Sequence, residues 1–498
     1  MRIKQKIPAM IIAAMLLLLA FTISVQTPLN LMDNLRLGDT TIFAYIGKAM
    51  RDGVTLYGEL FDHKGPLLFF INYFAISINE NFGIWFVGLI SNFIFYIFAY
   101  KVCRLVANKA VSILALVTIT PVFAGCIDGG NLSEQYALPF IAFSLFVFLK
   151  FFIDREQVKT KEIILTGVSC GAVFLLRANM VCLWMCFCVS VIIFLAKRKE
   201  WKPLGKFSLQ FIIGFALSLI PFVVYFQSKG CLDDAIFQSL TFNFQYSANS
   251  GIALSFLMSW GFGFLANYVA FPLILSYIII ILAKKKERSL MHITNAVYFV
   301  VTLFFVYISQ RTYNHYLMIL IPTFVFPVAY IYNIIWKKFS VDSAKKSAKC
   351  LALVLFVVAF SCTNYYTSRL WINTSKGQFL SKSQTIYADM SEVIKNNSTP
   401  EDRIYTHRLC GTMYLGSDRL AATKYFSLPA VSLEKFPEIE NELISDLVTR
   451  KPKFIVIDNV RFNMETETVD RTIMDLLETS YSKFQSIENM DLYQINQK

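Results

Sequence analysis

Residues 38–66 read GDTTIFAYIGKAMRDGVTLYGELFDHKGP and lie between two long apolar segments. Asp39, Lys48, Arg51, Asp52, Glu59, Asp62, His63 and Lys64 all fall within them. Charged side chains beside a bilayer are costly unless they face water or a substrate. The stretch therefore reads either as a solvated loop between two spans or as a functional site at a membrane face.

The flanking composition makes a membrane protein. Of 498 residues, 56% are hydrophobic, 47 are Phe and 24 are Tyr, and the apolar residues come in runs rather than periodic stripes. A span needs roughly 20 apolar residues, and about eleven stretches qualify. The net charge of +13 is placed by topology. Lys and Arg collect in short loops two spans apart, roughly two dozen inside against about seven outside. No nucleic-acid-binding motif accompanies them, so nucleic acid is excluded as a partner. Ten Cys residues are scattered without a C-x-x-C pair, which argues against a zinc ribbon or a thioredoxin-like centre.

Arg2, Lys4 and Lys6 precede an apolar run from Ile7 to Val25. With Ser-Val-Gln-Thr-Pro a poor cleavage site, the run reads as a signal anchor with a cytoplasmic N-terminus. The charged stretch is then outside. Parity between basic loops next gives an interfacial helix at 66–78 and spans at about 84–100, 110–124 and 135–153. Two short spans within 163–196 meet at Arg177, and single spans follow at about 207–227 and 258–282. A hairpin over 291–336 turns at Gln310–Tyr316, and a last span covers about 350–366. The outer loop at 126–136 carries Asp128 and Glu134 with no Lys or Arg, although Ser133 or Asn131 would also serve there as a helix cap.

An Asp before an aromatic helical stretch, then Gly, Tyr and Asp62-His63-Lys64-Gly65-Pro66, resembles the first outer loop of the GT-C class of membrane glycosyltransferases. The bacterial branch related to protein mannosyltransferases and lipid A aminoarabinose transferases, glycosyltransferase family 39-like, is the nearest in pattern. Arg311-x-Tyr313-x-His315-Tyr316 before Pro322 resembles a late loop of the same branch. The resemblance implies that Asp39 is catalytic, that Glu134 is a second active-site carboxylate, and that Lys64 lies near a donor phosphate. Asp128, Arg177, Arg311, Tyr313 and His315 become candidate substrate-binding residues. Arg177 reads equally as a snorkelling side chain. His315 reads as a core histidine, a phosphate ligand or, with His63, half of a divalent-metal site.

From about residue 367 the composition becomes soluble. Asp402–Thr406 and Lys453–Asp458 read as strands, and 438–449 and 469–479 as helices, giving a small α/β domain. Without a glycine-rich phosphate loop it has no nucleotide site of its own. It is expected to shape the acceptor's approach and to carry none of the chemistry.

The expected architecture is an α-helical polytopic membrane protein of about 11 transmembrane helices, residues 1–366, with a small extracytoplasmic α/β domain, residues 367–498. The expected activity is inverting transfer of a hexose or pentose from a polyprenyl-phosphate donor to an extracytoplasmic lipid, glycan or protein acceptor at the cell membrane. Sugar nucleotides are cytoplasmic while the charged loops face out, which selects the lipid-linked donor. Alternatives are a transporter or flippase, or a polysaccharide ligase or polymerase. Transporters usually carry mid-membrane charges and internal repeats; here the charges sit at the outer ends of the spans.

Overall fold

In the computed structural model the apolar runs are helices, which satisfy every backbone polar group within the segment, as hydrocarbon requires. The structure describes residues 2–244, 252–284, 289–308, 310–341, 385–431, 433–462, 464 and 468–496. The expected last span at 350–366 and the boundary at 366/367 lie outside the described residues.

In chain order the helices are α1 (Arg2–Ser24), α2 (Asp39–Arg51), α3 (Pro66–Ile78), α4 (Gly83–Arg104), α5 (Lys109–Cys126) and α6 (Ser133–Ile153). Then come α7 (Thr160–Leu176), α8 (Cys182–Lys197), α9 (Trp201–Ser228), α10 (Leu232–Ile236), α11 (Leu254–Ala266) and α12 (Ala270–Ala283). They are followed by α13 (Leu290–Tyr307), α14 (Ile321–Val341), α15 (Ile386–Asn396), α16 (Thr412–Ser417), α17 (Pro437–Arg450) and α18 (Thr468–Ser480). Four strands complete the chain: β1 (Ile404–Thr406), β2 (Phe454–Asp458), β3 (Tyr481–Ile487) and β4 (Met490–Ile495).

Among the described residues six helices are long and apolar enough to cross a membrane, or seven if one bent pair counts as a span. Three shorter apolar helices, Ala9–Ser24, Pro66–Ile78 and Cys182–Lys197, accompany them. The bent pair replaces the single span expected at 258–282: α11 and α12 meet at 104°. Asn267 causes the break locally. Its Nδ2 donates to the carbonyls of Gly263 and Phe264, at 3.1 and 3.3 Å, which ends α11 by satisfying its last acceptors.

The chain forms two compact units. The first comprises Met1–Thr27, Gly88–Phe222 and Ser250–Phe379, and is the helical bundle. Its helices are joined by satisfied polar pairs: Thr118 Oγ1 with Tyr332 Oη at 2.9 Å, and Ser190 Oγ with Thr294 Oγ1 at 2.6 Å. Such pairs fix register where apolar packing against lipid tails gives little discrimination.

The second unit comprises Pro28–Val87, Val223–Asn249 and Leu380–Lys498. Its sheet has the order β1-β2-β4-β3, with β1 and β2 parallel and the other pairs antiparallel. The β3–β4 hairpin was not foreseen. It turns through Glu488, at φ 49°. The core of this unit gathers Ile455, Ile457, Leu443 and Ile473 from the tail with Phe61 and Phe242 from the two earlier segments. The soluble tail therefore shares one core with the charged loop. Gly47 permits α2 to lie against α3, because a Cβ there would stand 2.6 Å from the Asn72 carbonyl carbon.

Candidate active site

The candidate residues fall into two groups, one in each unit. In the second unit Gly38, at φ 151°, turns the chain into α2 and makes Asp39 its first residue. A carboxylate in the first helical turn is favoured by the macrodipole. Asp39 is half-buried, and among the described residues its carboxylate takes part in no hydrogen bond or ion pair. The Asp62 carboxylate and the Cys410 thiol lie close enough to interact with it electrostatically.

The Asp62–Pro66 turn is held from three sides. The Tyr57 hydroxyl donates to the Lys64 carbonyl at 2.6 Å, and Gln238 Nε2 donates to the Tyr57 carbonyl at 2.8 Å. Asn243 Nδ2 donates to the His63 carbonyl at 2.7 Å. Tyr57 itself stands at φ 65°, a conformation that a non-glycine residue keeps only where its surroundings impose it. Lys64 Nζ sits 2.9 Å from His63 Nε2 and 5.9 Å from the centre of the Phe43 ring. The Asp62 carboxylate accepts the Lys64 backbone N–H at 2.8 Å. Burial pushes its pKa up to about 6, against the pull of Lys64. Asp62 lies within the motif but carries no assigned role in the sequence reading; among the acidic residues of the loop its burial distinguishes it.

The other charges of the first loop are structural. Lys48 is buried and pairs with Asp52 at 2.8 Å and Asp418 at 2.6 Å. Burial pulls its pKa down, and the two carboxylates overrule that, leaving it above the usual value. Tyr45 stacks on Tyr414 and packs against the tilted ring of Phe426, each ring centre 4.7 Å away, and its hydroxyl accepts the Ala421 N–H at 2.7 Å. At Gly411 a Cβ would stand 2.0 Å from the Thr41 carbonyl oxygen. The start of α2 is thus built against the tail.

In the first unit Asp128, Gly129, Gly130 and Asn131 all have positive φ, at 45°, 83°, 77° and 59°. Two glycines and two residues that tolerate the left-handed region make this turn possible. It delivers Asp128 to His315, with Oδ2 3.0 Å from Nδ1, and that hydrogen bond holds the Asp128 carboxyl below the usual range. His315 lies between Tyr313, stacked at 5.4 Å, and Tyr316, edge-on at 4.9 Å. The Arg177 guanidinium lies 4.1 Å over the Tyr316 ring, and its Nη1 donates to Glu134 Oε1 at 2.7 Å. Ser133 Oγ donates to Glu134 Oε2 at 2.9 Å instead of capping α6. Gln135 instead reaches back to accept the Asn131 N–H at 2.9 Å. Arg177 does not snorkel; its charge is directed inward to Glu134. Arg311 is half-buried in the segment leading to Tyr313.

Among the described residues no three His, Cys, Asp or Glu side chains are grouped to hold an ion. His63 Nε2 faces the Lys64 ammonium, a cation where a metal ligand needs a free lone pair.

The fold has solved counterparts. The chain is similar to ArnT from Cupriavidus metallidurans bound to undecaprenyl phosphate, at 11% identity and TM-score 0.63, over 97% of both chains. Similarity to the same protein in the apo state gives 12% identity and TM-score 0.65 over 98% of both. The Archaeoglobus fulgidus oligosaccharyltransferase, in complex with Zn and sulfate, is similar at 14% identity and TM-score 0.58, over 97% of this chain and 73% of that one. No curated protein sequence matches. The likeness runs end to end and establishes the GT-C fold that the first loop led us to expect. Residues 1–383 match the family model described as the putative competence-induced protein Ccs4 N-terminal domain, and the chain belongs to that family.

Proposed function

We propose that the chain is a membrane glycosyltransferase that moves a sugar from a polyprenyl-phosphate carrier to an acceptor outside the cytoplasm. The observation that carries this reading is fold likeness over 97% of the chain to a transferase bound to undecaprenyl phosphate. A phosphate leaving group departs without strong acid help, so the site needs chiefly a base and cations. Asp39, half-buried and without a hydrogen-bonding partner among the described residues, is suited to take the acceptor's proton. Lys64, fixed through its backbone by Tyr57 and Asp62, opposes the phosphate as it leaves.

Within the first unit Arg177 is paired with Glu134, and Arg311 is retained as a candidate substrate-binding cation. The Glu134–Arg177–Tyr316–His315–Asp128 chain of contacts then orients sugar or acceptor hydroxyls. Attack opposite the departing phosphate gives inversion at the anomeric carbon. The Lys and Arg bias supports a cytoplasmic N-terminus and an outer C-terminal domain. The archaeal oligosaccharyltransferase AglB is known in complex with an inhibitory peptide and a dolichol-phosphate, which keeps a protein acceptor beside lipid and glycan ones.

The test is the mass-spectrometric profile of lipid, polymer and protein glycans in a deletion strain and its parent. Loss of one sugar substituent is expected; identical profiles in all three fractions would sink the assignment.

A further inference from the structure

At the end of the bundle away from Arg177, α6, α7, α8 and α9 surround an open pocket. Phe151, Leu195 and Phe207 form its apolar wall, while Arg155, Lys206 and Gln210 contribute polar groups. Arg155 pairs with Glu200. Lys206 is exposed and has no ion pair among the described residues. Gln210 is only 8% exposed, and its Oε1 is buried without a hydrogen-bond partner, while its Nε2 donates to Thr160 Oγ1 at 3.3 Å. A buried acceptor left without a donor is destabilising, so an occupant bearing a hydroxyl would recover that loss.

Two further observations point to lipid. The sequence around this end, leaving out Arg177, carries nine Lys and Arg against four Asp and Glu between Lys150 and Lys206. That excess marks a cytoplasmic face. Helix α9 also leaves Leu209 60% and Ile213 42% exposed, three and seven residues on from Lys206 and so along its side of the helix, with Trp201 63% exposed at its start. An exposed apolar stripe ending in an interfacial Trp is the surface along which an acyl chain lies. Basic pockets between membrane helices on this face suit anionic headgroups.

We propose that this pocket binds an anionic phospholipid of the cytoplasmic leaflet whose headgroup carries a free hydroxyl. Lys206 faces the phosphate, Gln210 Oε1 accepts a hydrogen bond from the hydroxyl, and the acyl chains follow α9. The proposal does not depend on the transferase reading.

Full-length protein in nanodiscs, analysed by native mass spectrometry, tests it with phosphatidylglycerol, phosphatidylcholine and phosphatidylmethanol, the last having the charge without the hydroxyl. Wild type should retain phosphatidylglycerol over both others. Lys206→Glu should lose that retention roughly tenfold or more, the scale of reversing one charge near an anionic headgroup. Lys202→Glu, on the same helix but outside the pocket, should lose much less. Gln210→Leu should erase the preference for phosphatidylglycerol over phosphatidylmethanol while keeping the charge preference. Equal losses in Lys202→Glu and Lys206→Glu would overturn the site. Equal retention of phosphatidylcholine, or thermal stabilisation by glycerol phosphate matching that of the lipid, would overturn the lipid assignment.

Discussion

Glu134 Oε1 lies 2.7 Å from Arg177 Nη1, and the Glu134 side chain is only 3% exposed. Removing one member strands the other, and breaking a buried pair costs about 3–5 kcal/mol. Arg177→Ala should therefore lower thermal stability in nanodiscs by that order. Glu134→Gln with Arg177→Met should recover part of the loss. A double variant no more stable than either single one would show that the pair does not act as a unit.

Asp39→Asn keeps the size of the side chain and removes its basicity. If Asp39 is the general base, turnover should fall roughly 10²–10⁴-fold with donor-lipid retention little changed. Lys64→Ala should weaken donor retention as well, because its charge opposes the phosphate before and during transfer. A helix-starting role alone predicts about 1 kcal/mol of stability lost and near-normal turnover. Assay of purified Asp39→Asn with a polyprenyl-phosphate sugar separates the two.

Asp62 gives the protein a pH signature. Burial raises its pKa from 3.8 to about 6, so between those values the folded protein keeps a proton that the unfolded chain has released. Stability should accordingly fall as pH rises through this window and level off above it. Asp62→Asn should flatten that slope. Melting curves from pH 4 to 7 for the two proteins provide the check, and parallel curves would place the buried proton elsewhere.

Gly411→Ala would set a methyl 2.0 Å from the Thr41 carbonyl oxygen. Backbone on both sides leaves little room to yield, so a loss of about 1–3 kcal/mol is expected. Gly263→Ala, with nothing within 4 Å of the added carbon, should be neutral or slightly stabilising. Unchanged melting of Gly411→Ala would mean that the tail does not press on α2 as closely as described.

Deleting the chain from Ile386 onward should abolish folding of the first loop. Tyr45 would lose both ring contacts, Lys48 would lose Asp418, and Phe61 would lose its core. Size-exclusion profiles of a fluorescent fusion report this directly; a monodisperse truncated protein would contradict it. The sequence set the tail apart as a domain without chemistry; the core it shares with Phe61 ties it to the first loop.

Much of the bundle was legible because hydrophobic runs bounded by Lys and Arg have few other readings: α4 to α9 begin and end within a few residues of the expected spans. Asp39 and Lys64 stood out because ionisable groups are rare beside apolar segments. Periodicity carries no information on partners far apart in sequence. Glu134 and Arg177 are 43 residues apart, and Lys48 meets Asp418 across most of the chain. Nothing local to either end announces such a pair. The α11–α12 break was missed because a lone Asn in an apolar run gives no periodic signal. The β3–β4 hairpin was missed because its two-residue turn, Glu488-Asn489, contains no Gly, and the residue at positive φ is Glu488.

The second unit is assembled from three separate pieces of chain, which imposes an order on biosynthesis. Residues 28–87 leave the ribosome long before residue 380, and at ~5–20 residues per second the interval is roughly 15–60 s. Throughout it Tyr45, Phe61 and the Asp39 turn have no tail to fold against. Long-range closure of this kind is slow and leaves apolar surface exposed meanwhile. Such a protein should depend on holding chaperones during its synthesis more than its finished stability would suggest.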